Sequence, residues 1–387
     1  MRLLHLIDAT PGAGREPDAL GSDASLLATR TLIERNREPD PSVLLGGSAA
    51  RDRARGIGLD PSVVVCPPRG VPELARRALA GLDADADAVH CTSPASVALA
   101  RSLFGDRVPV TACFMSPPAR TGAAGSGPWS LSGRALAIAG TPIVCCHEPD
   151  RRAWRAFEPS PGAITLASPP TPRPELNRAG ARERLGLDER DVALVLLADP
   201  PRAGDAHWFA ALASLLSAAA LPIVGIVPRG SASTAPARRY LRLGTRSARI
   251  IWSGWSGWSL LAASDLAVLC PSGPGATGGE RLAVGTAHAA GIPVVCPRPG
   301  LVAALAPPAV RAHLAARVGQ APEMGRLLLP LVRDPALRLR IGRSLRRSAA
   351  ARRSTDRFVR ACERMWSDAI ARRTPRSDRV GNLAGQI

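Results

Sequence analysis

The sequence contains no lysine, and all fifty of its basic residues are arginine. Such exclusive use of arginine indicates a biased codon supply. The formal net charge of +18 therefore does not by itself identify a binding partner. The position of the charge is more informative. Fifteen arginines and five acidic residues lie between Arg333 and Arg379. Such a segment can meet an anionic lipid surface or a nucleic acid, or it can simply be a solvated basic helix.

Aromatic residues make up only 3% of the chain, so the core must consist mostly of alanine, leucine and valine. Against this background the stretch IIWSGWSGWSLLAASD places Trp252, Trp255 and Trp258 three residues apart. Two interpretations remain open at this point. The three rings are core filler at a strand-to-helix junction, or one of them is a platform for a flat ligand such as a nucleobase.

The eight cysteines include no CxxC pair and no spacing typical of a disulfide framework. Most of them end apolar runs such as SVVVC and IPVVC, as small buried residues do at strand ends. A reducing cytoplasm is therefore the expected location. His147 follows Cys145 and Cys146, but no other pair has the spacing of metal ligands, so we expect no metal site.

Unbroken apolar runs long enough to span a bilayer are also lacking. The N-terminal run stops at Asp8, which argues against a signal peptide. The segment 207–227 has no charged residue, but Pro222 divides it. We therefore expect an alanine-rich helix followed by a β-branched strand rather than a transmembrane helix.

Short β-branched runs alternate with helical stretches along most of the chain, and this repetition predicts parallel sheets with helices on both faces. A proline-rich segment at 168–175 separates two such series. We expect an α/β protein with two doubly wound Rossmann-like domains, at 1–170 and 173–345. The apolar residues at helical spacing after Thr355 predict a last helix at 355–373, and residues 374–387 are expected to be a disordered tail. The predicted strands are 2–7, 42–45, 62–66, 88–91, 108–114, 142–146, 164–167, 192–197, 222–227, 249–252, 266–269 and 293–296.

The strongest local signal is the segment 265–300, in which an apolar strand leads into a glycine-rich loop, a helix from about Glu280 and a second strand. Ligands of open α/β sheets bind at the carboxyl ends of the strands. A helix N-terminus there offers free N–H groups and a positive dipole end to a phosphate, and Arg281 would add charge. Gly273, Gly275 and Gly278 also match G-x-G-x-x-G, but the acidic residue of a dinucleotide site is missing.

Two further motifs are weaker. The acidic run DADAD at residues 83–87 precedes a strand, so we interpret it as a turn at the amino end of that strand rather than a metal motif. Gly12 and Gly14 follow the first strand and would lie at a carboxyl end facing an interdomain cleft. They either allow a close backbone approach to a ligand or form a plain turn.

The order of these elements resembles the GT-B glycosyltransferases of the family-4, or group 1, type. The resemblance is clearest over residues 176–350, where ARERLGL, ALVLLADPPRAGD, PIVGIVPRG, ARIIWSGW, SLLAASDLAVLCPS, AHAAGIPVV and LVRDPALRLRIG follow in the family's order. HLID and DAVHCTSP are similar to its first domain. The resemblance implies that the last helix crosses back to the first domain.

The resemblance also implies an activity. The C-terminal domain would bind a nucleoside-diphosphate sugar, and the sugar would pass to an acceptor hydroxyl with retention and without a metal or other cofactor. Trp255 would stack on the base, while Trp252 would be core and Trp258 would be buried between helix and sheet. Glu280 is the candidate catalytic residue. The expected donor-binding residues are Arg202, Trp255, Ser272, Gly275, Gly278, Gly279, Glu280, Arg281 and Thr286.

Several side chains depart from the family pattern. The family's two glutamates, eight residues apart, fall on Gly278 and Thr286. Its arginine falls on Asp199, and its nearby lysine falls at or beside Arg202. Its first-domain histidine falls near Phe114 or Met115. Two functions therefore stay open, an active glycosyltransferase and a non-catalytic relative that binds or scaffolds, with a dinucleotide enzyme as a third.

The resemblance also bears on location and partners. Family members often act on lipid-linked acceptors, so we expect a lipid-linked or polysaccharide acceptor. The arginine-rich C-terminal segment would then contact an anionic membrane at its cytoplasmic face, and a nucleic acid partner is not expected.

Overall fold

The computed structural model describes residues 2–8, 26, 28–34, 42–45, 51, 54–55, 59, 61, 63–65, 86–114, 138–146, 148–156, 161–167, 177–197, 205–228, 234–243, 248–255, 260–270, 278–317, 320–352 and 355–373. These residues divide into two compact units. The first unit contains the described residues from 2 to 167 and from 356 to 373, and the second contains those from 177 to 355. The proline-rich segment and the tail after residue 373 lie outside the described residues, so the predicted domain boundaries stay predictions.

The first unit is built on a parallel sheet of seven strands in the order β3-β2-β1-β4-β5-β6-β7. The strands are β1 (Leu3–Asp8), β2 (Ser42–Leu45), β3 (Val63–Val65), β4 (Ala88–Cys91), β5 (Val110–Phe114), β6 (Ile143–Cys145) and β7 (Ile164–Leu166). Every pairing in this sheet is parallel. The central strands are buried and mostly apolar, as in sheets covered by helices on both faces.

The named helices of the first unit are α1 (Pro94–Phe104), α2 (Glu148–Arg155) and, at the end of the chain, α10 (Thr355–Arg373). Ser93 starts α1 with a capping box, in which its hydroxyl accepts from the Ser96 N–H while Ser96 Oγ accepts from the Ser93 N–H. The last helix has the bounds that its apolar spacing predicts. Its buried face includes Phe358, Cys362 and Trp366.

The second unit is built on a parallel sheet of five strands in the order β10-β9-β8-β11-β12. The strands are β8 (Val192–Leu196), β9 (Ile223–Val227), β10 (Arg249–Trp252), β11 (Leu266–Val268) and β12 (Val294–Val295). The helices are α3 (Arg178–Arg184), α4 (Asp205–Ala218), α5 (Thr234–Leu243), α6 (Gly278–Ala290), α7 (Pro299–Leu305), α8 (Ala321–Arg333) and α9 (Pro335–Arg352), with 3-10 turns at Leu261–Ala263 and Pro308–His313. The twelve predicted strands are thus confirmed in order, and the α/β prediction with two doubly wound units is confirmed with them.

The charge-free segment at 207–227 is the helix and strand that the sequence predicts, because α4 ends at Ala218 and β9 begins at Ile223. No helix in the described part of the chain is long and apolar enough to cross a bilayer. Between helix and strand, Ala220 adopts a left-handed conformation with φ of 57°. This turn reverses the chain and returns it to the amino edge of the sheet.

Asp265, which directly precedes β11, stabilises the amino edge of the second sheet through hydrogen bonds and ion pairs. Its carboxylate accepts from Arg178 at 2.7 Å, from Arg182 at 3.1 Å and from the backbone N–H of Ala193 at 2.9 Å. Arg182 also donates to the carbonyl of Asp191 at 2.9 Å. This network connects α3 to the amino ends of β8 and β11. Asp265 and Arg182 are nearly buried, so their hydrogen bonds are little weakened by competing water.

Candidate functional site

The strand order of the second unit places a topological switch point between β8 and β11. Successive strands run outward from β8 to β10 on one side, and from β11 to β12 on the other. The chain that leaves β8 and the chain that leaves β11 therefore diverge to opposite sides. Ligands of open α/β sheets occupy the crevice that this divergence creates at the carboxyl ends.

Helix α6 is the first described element after β11, and it begins at Gly278, two residues before the predicted start. Its first four backbone N–H groups have no carbonyl partner within the helix, so they and the helix dipole favour an anion at this end. Gly278 and Gly279 leave the backbone open to a close approach. Arg281 is half-buried in the first turn and adds a cation there.

A buried ion pair lies in the first turn of α6. Glu280 is 8% exposed, and its Oε1 lies 3.4 Å from Nη2 of Arg298. Arg298 follows β12, the strand next to β11, so the pair links the start of α6 to a neighbouring carboxyl end. The attraction between the two groups offsets part of the cost of burying them, and it fixes the direction of the carboxylate.

Arg298 is a residue that the sequence analysis missed. It comes shortly after an apolar strand in the run IPVVCPRPG, which is the same signal that singled out the other carboxyl ends. Nearby, the pKa of the Cys296 thiol is raised to about 12, chiefly by burial and further by the Glu280 charge, although Arg298 acts in the opposite direction. Cys296 is thus a protonated, structural thiol at neutral pH and not a nucleophile.

Thr286 lies one and two-thirds turns further along α6, about 9 Å from Glu280 along the helix axis. It is 4% exposed, and its hydroxyl has no hydrogen-bond partner among the described residues. Thr286 could offer a ligand one hydroxyl at the position where the family carries a carboxylate. Its assignment to donor binding stays a prediction.

The tryptophans of β10 and the turn after it have different environments. Trp255 is half-buried, and its backbone N–H donates to Ser253 Oγ at 3.0 Å, which fixes the turn beyond β10. Trp252 was expected to be core, but it is half-buried, with the guanidinium of Arg238 lying 5.1 Å from its ring centroid. The expectation is wrong because β10 is the edge strand, where one side of the ring meets the charged surface of α5. Trp258 lies outside the described residues.

Five of the eleven predicted site residues lie outside the described residues. These positions are Arg202, Ser272 and Gly275 in the second series of elements, and Gly12 and Gly14 in the first. The structure therefore brings together Glu280 and Arg281 at the start of α6, and adds Arg298 to them. The remaining assignments stay predictions.

Neither of the two positions expected for the family's first-domain histidine, Phe114 or Met115, is a titratable residue, and Met115 lies outside the described residues. Phe114 ends β5, is buried, and stacks on Trp154 with ring centroids 4.7 Å apart. Asp87, the last acid of the DADAD run, accepts from the backbone N–H of Arg2 at 2.8 Å. It therefore lies at the amino edge of the first sheet as expected, while Asp83 and Asp85 are outside the described residues.

A second constellation at the first sheet was not anticipated. His5 and His90 lie opposite each other in register on β1 and β4, and the indole of Trp366 from α10 meets both rings edge-on. All three are nearly inaccessible to solvent. No group of three or more His, Cys, Asp or Glu side chains suited to a metal ion is found among the residues that the structure describes.

No protein-family model matches the chain, and no curated protein matches it by sequence. Solved structures match over nearly its whole length. HepE from Anabaena, crystallised with UDP and glucose, has 13% identity and a TM-score of 0.67, covering 95% of this chain and 99% of the other. A glycosyltransferase from Rickettsia africae has 10% identity and a TM-score of 0.61, covering 95% and 98%.

The same fold also serves another reaction. UDP-GlcNAc 2-epimerase from Neisseria meningitidis, bound to UDP-GlcNAc, has 11% identity and a TM-score of 0.58, covering 95% of this chain and all of the other. At these identities the likeness concerns the fold, and the activity must be argued from the site. The resemblance in fold that the sequence indicates is thus confirmed: the chain has the GT-B fold that these solved structures share.

Proposed function

We propose that this protein is a glycosyltransferase that takes a sugar from a nucleoside-diphosphate sugar and passes it to an acceptor hydroxyl. The observation that carries the proposal is the start of α6. It follows β11 beside the switch point and holds the buried Glu280–Arg298 pair and Arg281 in one place. The likeness to proteins crystallised with UDP, UDP-glucose and UDP-GlcNAc supports a nucleotide sugar as the ligand.

The diphosphate is the part of the donor that α6 fits best. Two phosphates carry concentrated negative charge, and the first-turn N–H groups with the helix dipole stabilise such charge. Arg281 adds a guanidinium that can bind phosphate oxygens in a bidentate manner. Because the leaving group of the transfer is this diphosphate, the same groups would stabilise the charge that develops as the sugar departs.

The base of the donor would lie against Trp255. Strands β10 and β11 are three steps apart in the sheet, or about 14 Å at the usual strand spacing. A nucleoside diphosphate is an extended molecule that can bridge such a distance from α6 to the turn after β10. The Ser253 hydrogen bond that fixes this turn would hold the indole ready for stacking, worth about 1–3 kcal/mol.

Glu280 would act as an orienting carboxylate. Its pairing with Arg298 fixes its direction, and a fixed carboxylate can accept hydrogen bonds from ribose or sugar hydroxyls. Transfer with retention and without a metal is part of the proposal, carried by the resemblance of the sequence to the family-4 type. The acceptor in this proposal is a lipid-linked or polysaccharide hydroxyl at a membrane.

Donor consumption tests the proposed function. The protein is incubated with UDP-, GDP- and ADP-sugars in turn, and the released nucleoside diphosphate and free sugar are measured with and without acceptor lipid extracts. We expect slow release from one donor that accelerates with acceptor, and at least a tenfold loss in Glu280→Gln. Conversion of the donor to its epimer without release would identify an epimerase instead. Tight binding without any turnover would identify a non-catalytic relative.

A further inference from the structure

Helix α9 presents an exposed face of unusual composition. Between residues 335 and 351, every exposed position is proline, alanine, leucine or arginine, and none is acidic or uncharged polar. Solvated helices normally mix both signs of charge on their exposed face. The face consists of Ala336, Leu339, Arg340, Arg343, Arg347 and Ala350, and we call it the α9 face.

The arginines of α9 divide into two groups. Arg338 donates to the carbonyl of Leu331 at 2.7 Å, and Arg346 donates to the carbonyl of Ala290 at 2.8 Å. These two bind the C-terminal ends of α8 and α6 and are structural. Arg340, Arg343 and Arg347 make no ion pair or side-chain hydrogen bond with another described residue.

The three cations follow one stripe of the helix. Their spacing of three and four residues places them on one side, within about 10 Å along the axis. Leu339 lies next to this stripe and is 60% exposed. The opposite side of α9 is buried through Ile341, Gly342 and Leu345, so the orientation of the helix is fixed by the second unit itself.

We propose that the α9 face docks on an anionic membrane surface. Arginines beside an exposed leucine and alanines are the composition of helices that lie on charged bilayers, with the guanidinium groups at the headgroups and the apolar atoms just below. A nucleic acid fits less well, because the face has no aromatic ring to stack on bases and no uncharged polar group to bind them. A second copy of the face would bring like charges together.

The proposal does not rest on the transferase activity, because docking is measured without donor or acceptor. The full-length protein is sedimented at low salt with vesicles of phosphatidylcholine alone, or of phosphatidylcholine with phosphatidylglycerol as about one-third of the lipid. Each surface arginine contributes about fivefold to partitioning onto such a surface. We expect binding to the anionic vesicles only, weakening steeply as salt is added.

Two matched variants locate the contact. Arg340→Gln, Arg343→Gln and Arg347→Gln together should weaken partitioning on the order of a hundredfold while leaving the melting temperature unchanged. Arg360→Gln, Arg364→Gln and Arg372→Gln together remove the same charge from exposed positions of α10, where acids are interspersed, and should cost much less.

The side chain at position 339 gives a second readout, because Leu339→Ser removes apolar contact without changing the charge. We expect a severalfold loss of partitioning for this variant. Equal binding to neutral and anionic vesicles, equal losses in the two triple variants, or binding of duplex DNA without binding of anionic vesicles would overturn the proposal.

Discussion

The indole N–H of Trp366 in α10 donates to Nδ1 of His90 in β4, at 3.3 Å. The two residues are 276 positions apart in sequence, and this bond joins the last described helix to the centre of the first sheet. For the bond to form, the His90 ring must be neutral with its proton on the other nitrogen. Burial, and then the neighbouring His5, lower the pKa of His90 well below 6.5, which keeps it in that form.

This relationship predicts a pH-dependent stability. The unfolded chain takes up a proton on His90 near pH 6.5, whereas the folded protein resists it. The contribution of His90 is therefore fully present above pH 6.5 and is lost as the pH falls below it. Urea unfolding at pH 7 and pH 5 should differ by up to about 2 kcal/mol through this residue.

The matched variant for this prediction is His90→Gln, since a glutamine carbonyl can still accept the Trp366 hydrogen bond but does not titrate. Its unfolding free energy should fall by less between pH 7 and pH 5 than that of the wild type. An equal pH dependence in both proteins would show that His90 is not the group responsible.

The close contact between α9 and the end of α6 predicts that one methyl group added at Gly342 lowers the stability of the fold. A Cβ at Gly342 would lie 2.2 Å from the carbonyl oxygen of Gly291, which is backbone and cannot turn aside. Gly342→Ala should therefore push the helices apart and destabilise by about 1–3 kcal/mol. Gly300→Ala is the control, because it is also helical and has nothing within 4 Å. Equal midpoints for the two variants in urea would refute this packing argument.

The network at Asp265 predicts a variant that loses stability but keeps its affinity for nucleotides. Asp265→Asn removes the charge that pairs with Arg182, and leaving that nearly buried guanidinium without its partner should cost about 3 kcal/mol. Asp265 lies at the amino edge of β11, opposite the edge of the proposed donor site. The folded variant should therefore bind nucleotides as the wild type does, measured by titration calorimetry below its melting temperature.

The order of strands was predictable because short apolar runs rich in β-branched residues, several of them followed by a cysteine, proline or glycine, alternate with helical stretches along the chain. The bounds of α10 were predictable from its apolar spacing. The environment of Trp252 was not, since the sequence does not say which strand forms the edge of a sheet. The pairing of Glu280 with Arg298 joins residues 18 positions apart on two elements, and only their packing reveals it.

The central claim is that the start of α6 and the turn at Trp255 form a nucleotide-sugar site. The most direct measurement is thermal stabilisation across nucleoside diphosphates and their sugars, in the wild type, Trp255→Ala and Asp265→Asn. A ligand at a hundred times its dissociation constant should stabilise the fold by about 2.7 kcal/mol. A shift selective for one base, lost in Trp255→Ala and kept in Asp265→Asn, is the predicted result. No shift with any nucleotide would contradict the claim.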